Sequence, residues 1–197
     1  LSEVKSGADR IFYPGPIPRN GTHRAEIVVV AGRRCILDAL CITTKEEGDA
    51  MFKHILVPTD GSQLSQDTAR RAVSFAKEAG ARITAFCAKP EYPVTYYGEG
   101  ALIDSTTPEQ FALLAEQQAQ QTLDFVDQLC REAGVPCSRV TATSDVPYEA
   151  IIDAATQADC DLIFMASHGR RGISGLLLGS ETNKVLTHTK IPVLVYR

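Results

Sequence analysis

His54-Ile55-Leu56-Val57-Pro58-Thr59-Asp60-Gly61-Ser62 decides the fold. Four apolar residues run without a polar interruption, as in a strand covered on both faces. Asp60-Gly61-Ser62 breaks the run. Ala69, Ala72, Val73, Ala76 and Ala79 then recur at helical spacing, and Gly80 stops the helix. A strand, a sharp break and an amphipathic helix make the first half of a β-α-β unit.

The same alternation continues to the last residue. Arg82 to Ala88 reads as the second strand, ended by Lys89-Pro90. A long loop follows, with Tyr92, Pro93, Tyr96, Tyr97, Gly98 and Gly100. Thr107-Pro108-Glu109-Gln110 opens a helix. Thr107 is its N-cap, Pro108 stands at N1, and Gln110 at N3 closes a capping box. Phe111, Leu114, Ala115, Thr122, Phe125, Val126, Leu129 and Cys130 mark its expected buried stripe, and Gly134 ends it. Gln117, Gln118, Gln120 and Gln121 read as a solvated face. Ser138–Thr143 is the third strand. Tyr148, Ile151, Ile152 and Ala155 belong to a short helix. Asp161–Ala166 is the fourth strand, Val185 and Leu186 lie in a final helix, and Pro192–Tyr196 is the fifth strand.

The order predicts a doubly wound α/β fold. Its five-stranded parallel sheet has right-handed crossovers and helices on both faces. Such sheets bind ligands beyond the carboxyl ends of their strands, where the strand order reverses. Two breaks fall at such ends: Pro58–Ser62 after the first strand, and the stretch from Ala166 to Gly169 and onward after the fourth.

Residues 1–50 read differently. Pro14-Gly15-Pro16-Ile17-Pro18 and Arg33-Arg34 interrupt them, their acidic and basic residues balance, and only Ile27–Val30 could form a lone strand. Met51 stands directly before the first strand. Lys45-Glu46-Glu47-Gly48 back-translates to a purine-rich stretch like a ribosome-binding site. Residues 1–50 are therefore expected to be a leader, upstream sequence read in frame from a misplaced start, or else a real but mostly disordered extension, and 51–197 the domain. The order of charges and apolar residues does not fit a signal peptide.

Composition narrows the function. The chain has 197 residues, 44% of them hydrophobic, enough for a sizeable core. A net charge of −4 gives no polybasic footprint for nucleic acid or an anionic membrane. No run approaches the ~20 apolar residues that span a bilayer. The six cysteines (35, 41, 87, 130, 137, 160) form no CxxC pair and read as reduced, mostly buried thiols of a cytoplasmic protein.

The chemistry concentrates after the fourth strand, in Ala166-Ser167-His168-Gly169-Arg170-Arg171-Gly172-Ile173-Ser174-Gly175-Leu176-Leu177-Leu178-Gly179-Ser180-Glu181. Glycines let backbone N–H groups approach a phosphate, and Gly179-Ser180 opens a helix whose first amides form an anion site. No Gly-Lys-Ser/Thr occurs, so this is not the common phosphate loop. A dinucleotide fingerprint would follow the first strand instead.

This loop resembles the G-x-x-G-x9-G-[S/T] motif of the universal stress protein family. Gly169, nine residues and Gly179-Ser180 match, and Ala166 stands where the family has its first glycine. Ile55–Ser62 and Ile191–Val195 are also similar to that family, so the resemblance covers 51–197 and none of 1–50. It implies a Rossmann-like fold of the adenine-nucleotide α-hydrolase type, holding ATP with Mg²⁺ on its phosphates. Asp60 would meet the adenine or ribose, with Pro58 and Thr59 as the base-side wall and Ala88 touching adenine through its backbone. Gly169, Gly179 and Ser180 would hold phosphates, flanked by Ala166, Arg170 and Glu181.

Other readings of these residues stay open. Asp60 also suits an Asx turn or a helix cap. Arg170 and Arg171 suit a phosphate clamp or a solvated loop. His168 suits loop ordering better than proton transfer, since no partner stands at catalytic spacing. Tyr92, Tyr96 and Tyr97 could cover a nucleotide or a partner. The expected role is a stress-response or regulatory module. Nucleotide would switch a homodimer built through the C-terminal edge strand and so select an unknown regulatory partner. A nucleotide-independent dimeric interaction protein, favoured by Ala166, is the first alternative. A slow ATPase or phosphotransferase, possible only through Ser180 or His168, is the second.

Overall fold

The computed structural model describes residues 52–93, 107–170 and 178–197, and the backbone of two short strands at 10–14 and 26–30. In chain order the elements are β1 (Arg10–Pro14), β2 (Glu26–Val30), β3 (His54–Pro58), α1 (Gln63–Ala79), β4 (Arg82–Lys89), α2 (Pro108–Ala133), β5 (Cys137–Thr143), α3 (Pro147–Gln157), β6 (Leu162–Ala166), α4 (Ser180–His188) and β7 (Val193–Tyr196). The sheet order is β1-β2-β7-β6-β3-β4-β5.

Five strands, β7-β6-β3-β4-β5, are mutually parallel, as the alternation requires. From β3 the chain moves outward through β4 and β5, then returns to place β6 on the other side of β3. The order therefore reverses between β3 and β6. The loops leaving these two strands emerge side by side at the carboxyl edge, where doubly wound sheets bind ligands.

Strand alternation sorts the core into two layers. Ile55, Val57, Ile83, Ala85, Leu162 and Phe164 face α1 and α2, where they meet Ala69, Ala72, Ala76, Leu123 and Val126. Leu56, Phe86, Ile163, Met165, Val193 and Val195 face α3 and α4, against Ile151, Ala154, Ala155 and Val185. Phe86 and Phe164 are almost completely buried, and each large apolar side chain so covered stabilises the fold by about 1.5–3 kcal/mol. Gly80 and Gly134 end α1 and α2 at φ 65° and 72°. Both positions need the left-handed conformation that makes glycine the favoured helix stop.

Two expectations change. The last strand is not a sheet edge in this structure. β2 pairs antiparallel with β7 in the register Val28↔Val195, Val29↔Leu194 and Val30↔Val193, and β1 pairs antiparallel with β2. The Ile27–Val30 run is thus a strand that uses the free N–H and C=O groups of β7. The exposed edge of the parallel core is β5, whose Ser138, Arg139 and Val140 lie at the surface.

The second change concerns α2. Its capping box is present, with Thr107 and Gln110 bonded reciprocally. Its fully buried residues, however, are Ala119, Leu123, Val126 and Cys130. Leu113 and Leu114 are each 59% exposed. Length explains this. Twenty-six residues make a helix about 39 Å long, whereas the eight residues of β4 span only about 26 Å. The first turns of α2 overhang the carboxyl end of the sheet.

Candidate functional site

The overhang and the two switch-point loops enclose a cleft. It is lined by Asp60, Cys87, Ala88, Lys89, Pro90, Ala115, Gln118, Ala119, Thr122 and Arg170. Its floor is the end of β4, one wall is α2, and the other is the pair of loops after β3 and β6.

Asp60 ties those loops together. Its Oδ1 accepts the Ser62 amide at 3.0 Å, closing an Asx turn that leads into α1. Its Oδ2 accepts the Arg170 amide at 2.7 Å. The helix cap falls to Ser62, whose hydroxyl accepts from the Ser65 amide. Burial works against ionisation of Asp60, but hydrogen bonds from Ser62, from the Arg170 backbone and from Ser65 outweigh it and hold the carboxyl below its ordinary value. A carboxylate so held is a poor base, and its oxygens are aimed at backbone donors.

Gly169 lies against that carboxylate. A Cβ there would stand 2.6 Å from Asp60 Oδ2. Gly179 is confined as well: a Cβ would come within 3.2 Å of the His168 Cα and 3.3 Å of the Ser167 carbonyl. The Gly179 amide donates to that carbonyl at 2.8 Å, which seats the start of α4 on the strand exit. Gly179 supplies no side-chain cap, so the first amides of α4 have none of the usual capping acceptors.

Not every expected site residue meets the cleft. Asp60, Ala88 and Arg170 line it together, and Gly169 adjoins it. Thr59 is turned inward: its amide donates to the Phe86 carbonyl at 2.8 Å and its hydroxyl to Ser65 at 3.2 Å. Pro58 closes β3 in register with Phe86. Ala166 is 8% exposed, so its methyl is packed in protein, and its carbonyl accepts the Thr182 hydroxyl. Ser180 is exposed at the first position of α4. Glu181 points to α3, which lacks a side-chain cap of its own. It accepts the Tyr148 amide at 3.1 Å and pairs with Lys184 at 2.9 Å. Arg171, Tyr96 and Tyr97 lie outside the described residues.

Other cleft residues escaped the sequence reading. Gln118 and Thr122 stand on the face of α2 that periodicity divides between solvent and core, and only the overhang makes it a wall. Lys89 follows from the end of β4 and pairs with Glu116 of α2, bracing that wall. Cys87 faces the cleft with its thiol pushed up by burial, an effect that Arg170 opposes and Asp60 reinforces. Beyond the cleft, the Ser167 hydroxyl and His168 Nδ1 lie 3.1 Å apart, which fits the loop-ordering role for His168. Among the described residues no group of three His, Cys, Asp or Glu side chains could hold a metal ion. No described helix is long and apolar enough to cross a membrane.

A parallel sheet with paired loops at its point of reversal, an acidic strand tip and an uncapped helix start defines a doubly wound α/β protein. Comparison makes the class particular. The model of the universal stress protein family matches residues 51–197, and the chain belongs to that family. It is 31% identical over 151 residues to a universal stress protein of Methanocaldococcus jannaschii, covering 76% of this chain and 85% of that one. It is 32% identical over 135 residues to universal stress protein A homolog 1 of Coxiella burnetii, covering 68% and 89%. Among solved structures it is similar to universal stress protein UspA from Lactobacillus plantarum, with TM-score 0.61, 25% identity, and 76% and 100% of the two chains covered. A universal stress protein in complex with cAMP gives TM-score 0.55 at 22% identity, covering 76% and 99%. One from Archaeoglobus fulgidus in complex with dAMP gives 0.52 at 16%, covering 76% and 100%. These last two likenesses establish shared fold.

Proposed function

We propose that this protein is an ATP-binding regulatory module of the stress-response type, with residues 51–197 as its working domain. The observation that carries the reading is the bridge from Asp60 to Arg170, which joins the loops of β3 and β6 beside an open cleft. Adenine would lie over the end of β4 near Ala88 and Asp60, and the phosphates toward the amides that open α4 at Ser180. Arg170 offers positive charge between them. Mg²⁺ would arrive on the phosphates, since the described residues offer no carboxylate cluster to hold it. Relatives of the same fold bound to cAMP and dAMP support an adenine ligand.

The buried methyl of Ala166, which does not line the cleft, supports this reading over a nucleotide-free protein. An ionised, fully engaged Asp60 and a His168 paired with its neighbour favour binding over turnover. In this role occupancy would stiffen the paired loops and change what a regulatory partner meets. Self-association through β7 would require β2 to leave that edge. Isothermal titration of the full chain with Mg-ATP tests the proposal. Saturable binding of one nucleotide per chain is expected, and no binding at millimolar nucleotide would reject it.

A further inference from the structure

A second cavity, of about 80 Å³, adjoins the cleft on its β5 side. Lys89, Pro90 and Ala115 line both, so the two meet under α2. The lining changes from one to the other. Tyr92, Pro108 and Phe111 stand where the first cleft has Asp60, Gln118 and Arg170.

Two backbone contacts fix the floor. The Ser144 amide donates to the Lys89 carbonyl at 2.9 Å, and the Glu91 amide donates to Asp145 Oδ1 at 2.9 Å. Together they hold the chain leaving β4 against the exit of β5. Tyr92 follows directly, and its ring meets Phe111 edge to face, with centroids 5.5 Å apart and planes at 85°. Phe111 belongs to the first turns of α2, which overhang the sheet. The charge of Lys89 is matched by Glu116, which leaves its methylene stem for the lining. The space is several times what a single water needs. A lining of two aromatic rings, two prolines and two alanines takes an apolar group in preference to a sugar or a phosphate.

Strand order says which part of a nucleotide reaches it. Across the sheet the order runs β6, β3, β4, β5. In the ATP-binding reading the phosphates lie at α4, beyond β6, and adenine lies over the end of β4. Thr143, the last residue of β5, lines the new cavity, which therefore lies past the base on the side away from the phosphates. Adenine carries its ribose on the five-membered ring and its exocyclic amine at the opposite end, on the six-membered ring. A group carried by that amine is the one that enters.

We propose that the cavity between Tyr92, Phe111 and Thr143 is a specificity subsite for adenine nucleotides whose exocyclic amine bears a small apolar or aromatic substituent. The inference rests on the ATP-binding reading for the placement of adenine. The substituent packs against the Tyr92–Phe111 pair, and the amine keeps one hydrogen for a hydrogen bond.

Parallel isothermal titrations of the full chain with Mg-ATP and with the magnesium complex of N6-benzyl-ATP test this. The benzyl nucleotide should bind at least about tenfold more tightly, as expected for covering a ring of that size. Phe111→Ala should remove most of that preference and leave Mg-ATP affinity within about twofold, and Phe111→Tyr should keep the preference. Equal or weaker binding of the benzyl nucleotide, or a preference that survives Phe111→Ala, would overturn the proposal while leaving the ATP-binding reading intact. Phe111-dependent binding of the benzyl nucleotide without binding of Mg-ATP would support the subsite and reject that reading. Binding of neither would reject both.

Discussion

The Asp60 carboxylate and the α-carbon of Gly169 are so close that a methyl group on Gly169 would lie 2.6 Å from Oδ2. That oxygen accepts the next amide, Arg170. The glycine therefore answers to a side chain 109 positions earlier (169 − 60). It does not answer to a local turn, since its own φ is not positive. The contact joins the two halves of the sheet at the point where strand order reverses.

Gly169→Ala should separate the loops. Overpacking at such a contact costs about 1–3 kcal/mol, and the displaced Arg170 amide loses its acceptor. A lower urea midpoint with an unchanged slope is expected, together with at least about tenfold weaker nucleotide binding. That loss corresponds to about 1.4 kcal/mol.

Asp60→Asn tests the carboxylate itself. The folded state holds Asp60 below the ordinary value of 3.8. Its stabilisation is therefore present above that value and is lost as pH falls through the lower folded one. Urea titrations between pH 5 and 2.5 should show the wild type losing stability more steeply than the variant. At neutral pH the variant should be about 1–3 kcal/mol less stable, since a charged acceptor is replaced by an amide.

His54 supplies a second pH response of the same sign. It is buried, with Nε2 2.7 Å from the Thr84 hydroxyl. Burial, then the Arg82 charge, lower its pKa from 6.5, and Asp161 only partly compensates. The unfolded chain thus binds the proton more readily, so stability falls as pH drops below 6.5 toward the folded value. His54→Gln keeps a polar group near Thr84 and removes the titration. The denaturation midpoint of the variant should stay level between pH 7 and 5 while that of the wild type declines.

Glu181 separates capping from ligand binding. Its carboxylate accepts the Tyr148 amide of α3. Glu181→Ala should cost about 1 kcal/mol, as for a lost helix cap, and leave nucleotide affinity within about twofold. A fall in affinity without a fall in stability would return Glu181 to the phosphate site.

The sheet was legible because its signals are local. His54–Val57, the Gly80 stop and the Thr107–Gln110 box each carry their meaning within a few residues, and the structure keeps all three. Residues whose role depends on a distant neighbour were not legible. Thr59 reads as a site wall from its place at the strand end, and its hydroxyl donates to Ser65. Periodicity puts Leu114 in the buried stripe, since it carries no sign that α2 outruns the sheet. Glu181 lies beside the phosphate motif in sequence, yet its partner is the amide of Tyr148. The pairing of β2 with β7 joins two ends of the chain that no local pattern connects.

A crystal structure of the full chain with Mg-ATP measures the central relationship most directly. The account predicts adenine against the end of β4 between Asp60 and α2, with triphosphate oxygens at the amides that open α4, from Ser180 onward. Nucleotide bound elsewhere, or a cleft filled by Arg170 and the side chains of α2 at saturating Mg-ATP, would contradict it.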